Sequence, residues 1–70
     1  MNSYLTVFIN GDPFNCNSSM SLQDILLYLN FNINSVVVEY NKEIINCSRF
    51  KSISLQMNDH LEVITIVGGG

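Results

Sequence analysis

The group in this sequence best placed to react with another molecule is the carboxylate that follows Val67-Gly68-Gly69-Gly70. Three glycines in succession remove every side chain beside it. Such a tail is slim enough to enter another protein's narrow active site, where a bulkier end would clash. Glycine-rich ends are more often simple fraying, so the remainder of the chain has to justify a chemical role. No rival centre competes. His60 is the sole histidine and falls in a turn-like stretch without a Ser, Cys or carboxylate partner at a useful spacing. The six carboxylates are scattered, so no pair is set up for general acid/base work. Cys16 and Cys47 form no CxxC motif and are too few for a disulfide framework, which reads as two reduced thiols. No glycine loop precedes a helix to cradle phosphate, and no spacing fits a metal site. The expectation is a chain without catalytic residues, metal or bound cofactor, whose Gly70 is itself acted upon.

The elements that must present this tail follow from periodicity. Leu61-Glu62-Val63-Ile64-Thr65-Ile66-Val67 is rich in β-branched residues and predicts a closing strand. At the other end, Leu5, Val7 and Ile9 alternate with Tyr4, Thr6 and Phe8, a second strand pattern. Asn10-Gly11 then predicts a tight hairpin into Phe14–Asn17, an edge strand because Pro13 cannot donate to a ladder. Ser21 followed by Asp24 matches a capping box, and Leu22, Ile25, Leu26 and Leu29 form one apolar helical stripe. Asn30 to Ser35 reads as a polar loop. Val36–Tyr40 predicts a central strand, Asn41-Lys42 a turn, and Glu43–Ile45 a short return strand. A crossover carrying at most a turn of helix follows through Ser52, then a minor strand at Ile53–Leu55 and a turn at Met57–His60 in which Asn58 suits a left-handed backbone.

Seventy residues make one small domain with a limited core and no room for an enclosed substrate pocket. The composition is 47% hydrophobic and 13% charged, which excludes a disordered acidic tail. Net charge is −3, and Lys42, Arg49 and Lys51 are too few to displace counterions from nucleic acid. No apolar run nears the roughly 20 residues of a membrane span, and the N-terminus has no signal-peptide pattern, so a soluble protein is expected. The abundance of Asn and Ile fits an AT-rich genome, placing the protein in the cytoplasm, or in the plastid stroma if it is organelle-encoded.

Placing the two most apolar strands, first and last, side by side and parallel gives an α+β domain over residues 1–67. It is a ubiquitin-like β-grasp with a mixed sheet of four to five strands, one helix on one face, and a flexible glycine tail at 68–70. The other sheet face then meets solvent. If Leu61, Val63 and Thr65 point to the helix, Glu62, Ile64 and Ile66 point away, and Val37, Glu39 and Phe8 share that open side by the same alternation. Phe8, Val37, Ile64 and Ile66 would gather there, leading towards the tail. With Glu39 and Glu62 they form a candidate docking surface.

Several segments together resemble a known family. They are Ile9-Asn10-Gly11, Ser21-Leu22-Gln23-Asp24-Ile25-Leu26, Val38-Glu39-Tyr40-Asn41-Lys42-Glu43-Ile44-Ile45, Leu61-Glu62-Val63-Ile64 and the final Val67-Gly68-Gly69-Gly70. The chain resembles the ThiS family, the sulfur carriers of thiamine (thiazole) biosynthesis. One departure is that family members often carry Asp-Gly-Asp before the last strand, where this chain has Met57-Asn58-Asp59. The resemblance implies that a ThiF-like adenylating enzyme activates the Gly70 carboxylate with ATP and Mg²⁺. A persulfide or cysteine desulfurase then supplies sulfur for a thiocarboxylate, and a ThiG-like thiazole synthase consumes it. Two alternatives are the small subunit of molybdopterin synthase, with the same activation chemistry, and a ubiquitin-like modifier joined through Gly70 to target lysines.

Overall fold

A computed structural model describes residues 3–66 of the chain. Strand β1 (Tyr4–Ile9) and strand β2 (Asp12–Asn17) form an antiparallel hairpin closed by the Ile9–Asp12 pair. Asn10 and Gly11 both take positive φ, +52° and +88°, as a two-residue type I′ turn requires and as the Asn-Gly pair predicts. Pro13 lies on the outermost strand of the sheet, where its missing N–H breaks no ladder.

Helix α1 (Leu22–Tyr28) begins at the capping box. The Asp24 N–H donates to Ser21 Oγ at 3.1 Å, and the Ser21 N–H donates to Asp24 Oδ2 at 2.9 Å. A box of this kind contributes about 1 kcal/mol, which matters for so short a helix. Leu22, Ile25 and Leu26 are buried against the sheet, Leu29 packs partly beneath it, and Leu27 and Tyr28 face solvent. The helix stops in a Schellman motif: the Phe31 N–H donates to Leu26 O, the Asn30 N–H donates to Leu27 O, and Asn30 is left-handed at φ +67°. Phe31 and Ile33 turn back onto the core, so the Asn30–Ser35 stretch is less polar in role than its composition predicts.

Strand β3 (Val36–Tyr40) and strand β4 (Glu43–Ile45) form a second hairpin whose turn residues, Asn41 and Lys42, again both have positive φ. A six-residue 3₁₀ helix at Cys47–Ser52, longer than the single turn expected, buries Phe50, and Asn46 caps it by accepting from the Ser48 N–H. The minor strand expected at Ile53–Leu55 is a single bridge, Ser21 to Ser54, with flanking bonds from the Leu22 N–H to Ile53 O and the Leu55 N–H to Met20 O. It holds the start of α1 rather than extending the sheet.

Strand β5 (His60–Thr65) lies in the middle of the sheet order β2-β1-β5-β3-β4, parallel to β1 and antiparallel to β3. The central parallel pair expected from the two most apolar segments is therefore present. Expected to run to Val67, the strand ends at Thr65, and Val67 to Gly70 lie outside the described residues. Val7, Ile9, Val38, Leu61 and Val63 meet Leu22, Ile25, Leu26, Phe50 and Leu55 in one core on the helix side.

β1 is too short to accompany all of β5, and Asn10 makes up the difference. Its Oδ1 accepts from the Val63 N–H at 2.8 Å, and its Nδ2 donates to Val63 O at 3.2 Å. A side-chain amide thus substitutes for the next backbone unit of the missing strand. Asp59, just before β5, is buried at 6% exposure. Its carboxylate accepts from Tyr40 Oη at 2.5 Å, Asn41 Nδ2 at 3.0 Å and the Gln56 N–H at 2.7 Å. Asn41 Oδ1 in turn accepts from the His60 N–H at 2.8 Å. The carboxylate fastens the β3–β4 turn to the loop that launches the last strand.

Candidate functional site

The open face of the sheet follows the alternation read from the sequence. On β5, Leu61 and Val63 are buried, while Ile64 is 62% exposed and Glu62 and Ile66 also face solvent. On β3, Val38 is buried, Val36 and Tyr40 pack on the core, and Val37 and Glu39 take the other parity. Register then decides which outward residues meet. Val37 is opposite Ile64, and Ile66 follows on the same edge, its N–H bonded to Ser35 O at 2.7 Å. These three form an apolar patch at the end of β5 nearest the glycines in sequence.

Phe8 is placed elsewhere. The parallel register sets Phe8 beside His60, four residues before Ile64 and so about 13 Å away along the strand. The Phe8 and His60 rings stack with centroids 4.8 Å apart and planes 13° apart. The single gathering expected of Phe8, Val37, Ile64 and Ile66 is thus two patches. Alternation fixes which face a residue takes, but only register fixes its height, and the register of two strands about fifty residues apart cannot be read from either alone.

Between the patches lies an acidic step. Glu39 is directly opposite Glu62, an arrangement that costs stability through like-charge repulsion. Neither is ion-paired among the described residues, where Arg49 is bound to Glu43 at 3.8 Å. Ile44 is opposite Glu39 on β4 and 70% exposed, which extends the apolar border of the step. The face of Ile44 is not legible in the sequence, because a three-residue strand has too little alternation to assign it. His60, expected in a turn, is the first residue of β5, and its ring partner comes from a strand far away in sequence.

The remaining chemistry-bearing residues do not converge. Cys16 is buried, and desolvation first, with the nearby Asp59 charge second, raises its pKa above the ordinary thiol value. Cys47 is exposed and far from it in the fold order, on the 3₁₀ helix. Tyr40 is pushed up to about 12 by burial, by its hydrogen bond to Asp59 and by that group's charge. Among the described residues no group of three His, Cys, Asp or Glu side chains could hold a metal ion, and no helix is long and apolar enough to cross a membrane. Gly68, Gly69 and Gly70, the tail in which the sequence places the chemistry, lie outside the described residues.

A mixed five-stranded sheet with a central parallel pair, crossed on one face by one helix, defines a ubiquitin-like β-grasp protein. Its structure superposes on the thiamine biosynthesis protein ThiS of Geobacter metallireducens with a TM-score of 0.79 and 25% sequence identity, covering 94% of this chain and all of that one. The sequence model of the ThiS family matches residues 7–70, and the chain belongs to that family of small sulfur carriers. Over 70 residues it is 49% identical to the uncharacterized protein ycf40 of Pyropia yezoensis, covering all of this chain and 99% of that protein. It is 38% identical over 50 residues to the sulfur carrier protein ThiS of Bacillus subtilis, 71% of this chain and 76% of that one. A thiazole synthase of Magnetococcus marinus is 32% identical over 66 residues, which is 94% of this chain but 20% of the synthase.

Family membership gives a structural meaning to the residues that carried the resemblance. Asn10 replaces a strand, Ser21 and Asp24 start the helix, and Asn41 ties a turn to Asp59 and His60. The departure at Met57-Asn58-Asp59 is accommodated as well. Asn58 takes φ +67°, the left-handed conformation a glycine would supply, and its N–H donates to Thr6 O at 2.7 Å. The Met57 sulfur lies 3.4 Å from the Thr6 N–H and accepts from it.

Proposed function

We propose that this chain carries sulfur as a thiocarboxylate on Gly70 and delivers it to a thiazole synthase. The observation that carries this reading is the Magnetococcus marinus thiazole synthase, a fifth of which is similar to nearly the whole of this chain. A carrier joined covalently to the enzyme it feeds gains effective concentration and needs no new contacts, so such a union favours proteins that already work together. The same similarity favours a thiazole destination over molybdopterin.

In the proposed chemistry a Gly70 carboxylate oxygen attacks the α-phosphorus of ATP in a ThiF-like partner, with Mg²⁺ on the phosphates, and pyrophosphate leaves. The acyl-adenylate now has a good leaving group where the carboxylate had a poor one. A persulfide sulfur, from a cysteine desulfurase or an enzyme cysteine, attacks the carbonyl carbon and AMP departs. A second thiol attacks the resulting acyl disulfide at the donor's sulfur, which forms a new disulfide and releases the Gly70 thiocarboxylate. Gly68 and Gly69 supply reach and slimness, since neither adds a side chain to the partner's channel. Catalytic groups and ATP belong to the partner; this chain is co-substrate, working in the cytoplasm or the plastid stroma.

Val37, Ile64 and Ile66, bordered by Ile44, give the partner an apolar surface to cover. Glu39 and Glu62 present two carboxylates, unpaired among the described residues, for its cations, and the Phe8–His60 stack forms the far edge. The test is pyrophosphate release by the adenylating partner with ATP and Mg²⁺. Release should depend on this chain and vanish when Gly70 is deleted, while the deletion variant unfolds at the same urea concentration as the parent. Release undiminished by the deletion would refute the tail chemistry.

A further inference from the structure

The outer edge of β2 is a strand edge whose hydrogen-bonding groups are complementary to themselves. The backbone groups of Thr6, Phe8 and Asn10 are turned towards the β5 side: the Phe8 N–H donates to Asp59 O, the Asn10 N–H to Leu61 O, and Thr6 O accepts from the Asn58 N–H. Alternation therefore turns Leu5, Val7 and Ile9 towards β2, where they are registered with Cys16, Phe14 and Asp12. Pro13, Asn15 and Asn17 are left facing outward, and all three are exposed. An open edge of this kind pairs with another chain unless something blunts it.

Two of the outward positions are already spent. Pro13 has no N–H, and Asn17 O accepts from the Met20 N–H at 3.0 Å. A foreign strand in regular register would meet both gaps with unsatisfied groups of its own. A second copy of this chain would not. Laid antiparallel about a two-fold axis through Asn15, the two Asn15 residues exchange both N–H···O bonds, and Pro13 of each copy lies opposite Asn17 of the other. The Asn17 N–H then donates to Pro13 O, and the absent Pro13 donor faces the Asn17 carbonyl that Met20 has already taken. Each gap meets the matching gap.

The side chains agree with this pairing. A groove of about 220 Å³ runs beside the strand, lined among others by Phe14, Cys16, Met20, Ile25 and Tyr28. Asn15 and Asn17, of the opposite parity, line it too, so it follows the edge of β2 rather than lying over one face. Two-fold pairing sets Phe14 of each copy against Cys16 of the other and brings the two grooves together. Asp12, the one charged residue of β2, falls opposite Ser18 of the second copy, so the two Asp12 carboxylates lie at opposite ends of the seam. We infer that two copies of this chain associate edge to edge through β2, Asn15 against Asn15, into one continuous sheet of ten strands. β3, β4 and β5, with Val37, Ile44, Ile64 and Glu62, lie away from the seam, so both copies keep their open faces free for partners.

Such a seam is short, and its dissociation constant is on the order of 10–100 µM. Sedimentation equilibrium of the full chain across that range should show a monomer–dimer equilibrium. Hydrogen exchange should slow at the Asn15 and Asn17 amides as concentration rises. A chain made by chemical synthesis with an N-methyl group on the Asn15 amide loses the two central bonds and should dimerise at least about tenfold more weakly. Circular dichroism identical to the parent would show that the methyl leaves the monomer intact, and Asn15→Pro provides a genetic equivalent. A monomer up to about 1 mM overturns the inference, as does a dimer whose affinity N-methylation leaves unchanged. Asn15 and Asn17 amides that slow only when another protein is added would assign the edge to a different strand and overturn it as well.

Discussion

Replacing Asp59 by asparagine tests whether one buried carboxylate holds the two halves of this sheet in order. The substitution keeps the shape and changes one oxygen to an amide nitrogen. Asp59 Oδ2 accepts from Tyr40 Oη and the Gln56 N–H, and Oδ1 accepts from Asn41 Nδ2. In the better of the two amide orientations the remaining oxygen keeps Tyr40 and Gln56, now as neutral bonds. The new NH₂ faces the Asn41 NH₂, donor against donor, and Asn41 cannot simply flip, because its Oδ1 holds the His60 N–H. One charge-assisted bond is lost and two are weakened, a cost of about 2–3 kcal/mol. For a chain of this length total stability is of order 5 kcal/mol, so the midpoint in urea should fall by about half with an unchanged slope. The melting temperature should drop by about 10–20 °C. A loss under about 0.5 kcal/mol would refute the assignment of Asp59 as the fastening between the β3–β4 turn and β5.

The same knot gives a pH dependence. Folding raises the Tyr40 pKa to about 12, so stability should be full below pH 10 and fall as pH climbs from 10 towards 12. In Tyr40→Phe the fall over that window should be smaller, and an equal fall would exclude Tyr40 as its source. Lys42 occupies the left-handed region at φ +72° without being glycine. Lys42→Gly should therefore raise stability by about 0.5–1 kcal/mol in urea titration, and a loss would show that the strain argument fails there. Ile64→Asp adds a third carboxylate to the open face beside Glu62. It should weaken binding to the adenylating partner at least about tenfold, read by calorimetry, while circular dichroism shows a folded domain that has lost about 1–2 kcal/mol of urea stability. Unchanged affinity would remove Ile64 from the proposed docking surface.

Features encoded by adjacent residues were legible in the sequence. Asn10-Gly11 specified its turn because few residues tolerate two successive positive φ angles, and Ser21 with Asp24 specified the helix start because the box closes within four residues. The faces of β5 were legible because alternation is a local property. What needed the structure depends on distant pairs. Asp59 sits in a turn beside Asn58 and looks like any solvated turn residue until Tyr40 and Gln56 close over it. Phe8 was assigned to the correct face but the wrong neighbourhood, since its height is set by parallel register with a strand near the other end of the chain. Phe31 and Ile33 hide in an Asn-rich stretch whose composition says loop, and only the Schellman turn directs them inward. The open face was legible as a set of residues but not as two apolar patches separated by an acidic pair.

The central claim is that Gly70 is loaded with sulfur, and intact mass spectrometry tests it most directly. The protein is purified without reducing agent from the cells that make it, and again after reaction with the adenylating partner, ATP, Mg²⁺ and a persulfide donor. The account predicts a species heavier by the exchange of one oxygen for one sulfur, located in the peptide that ends at Gly70 and lost on incubation with thiazole synthase and its substrates. A chain that keeps its unmodified mass beside a partner shown to be active on another carrier would contradict it.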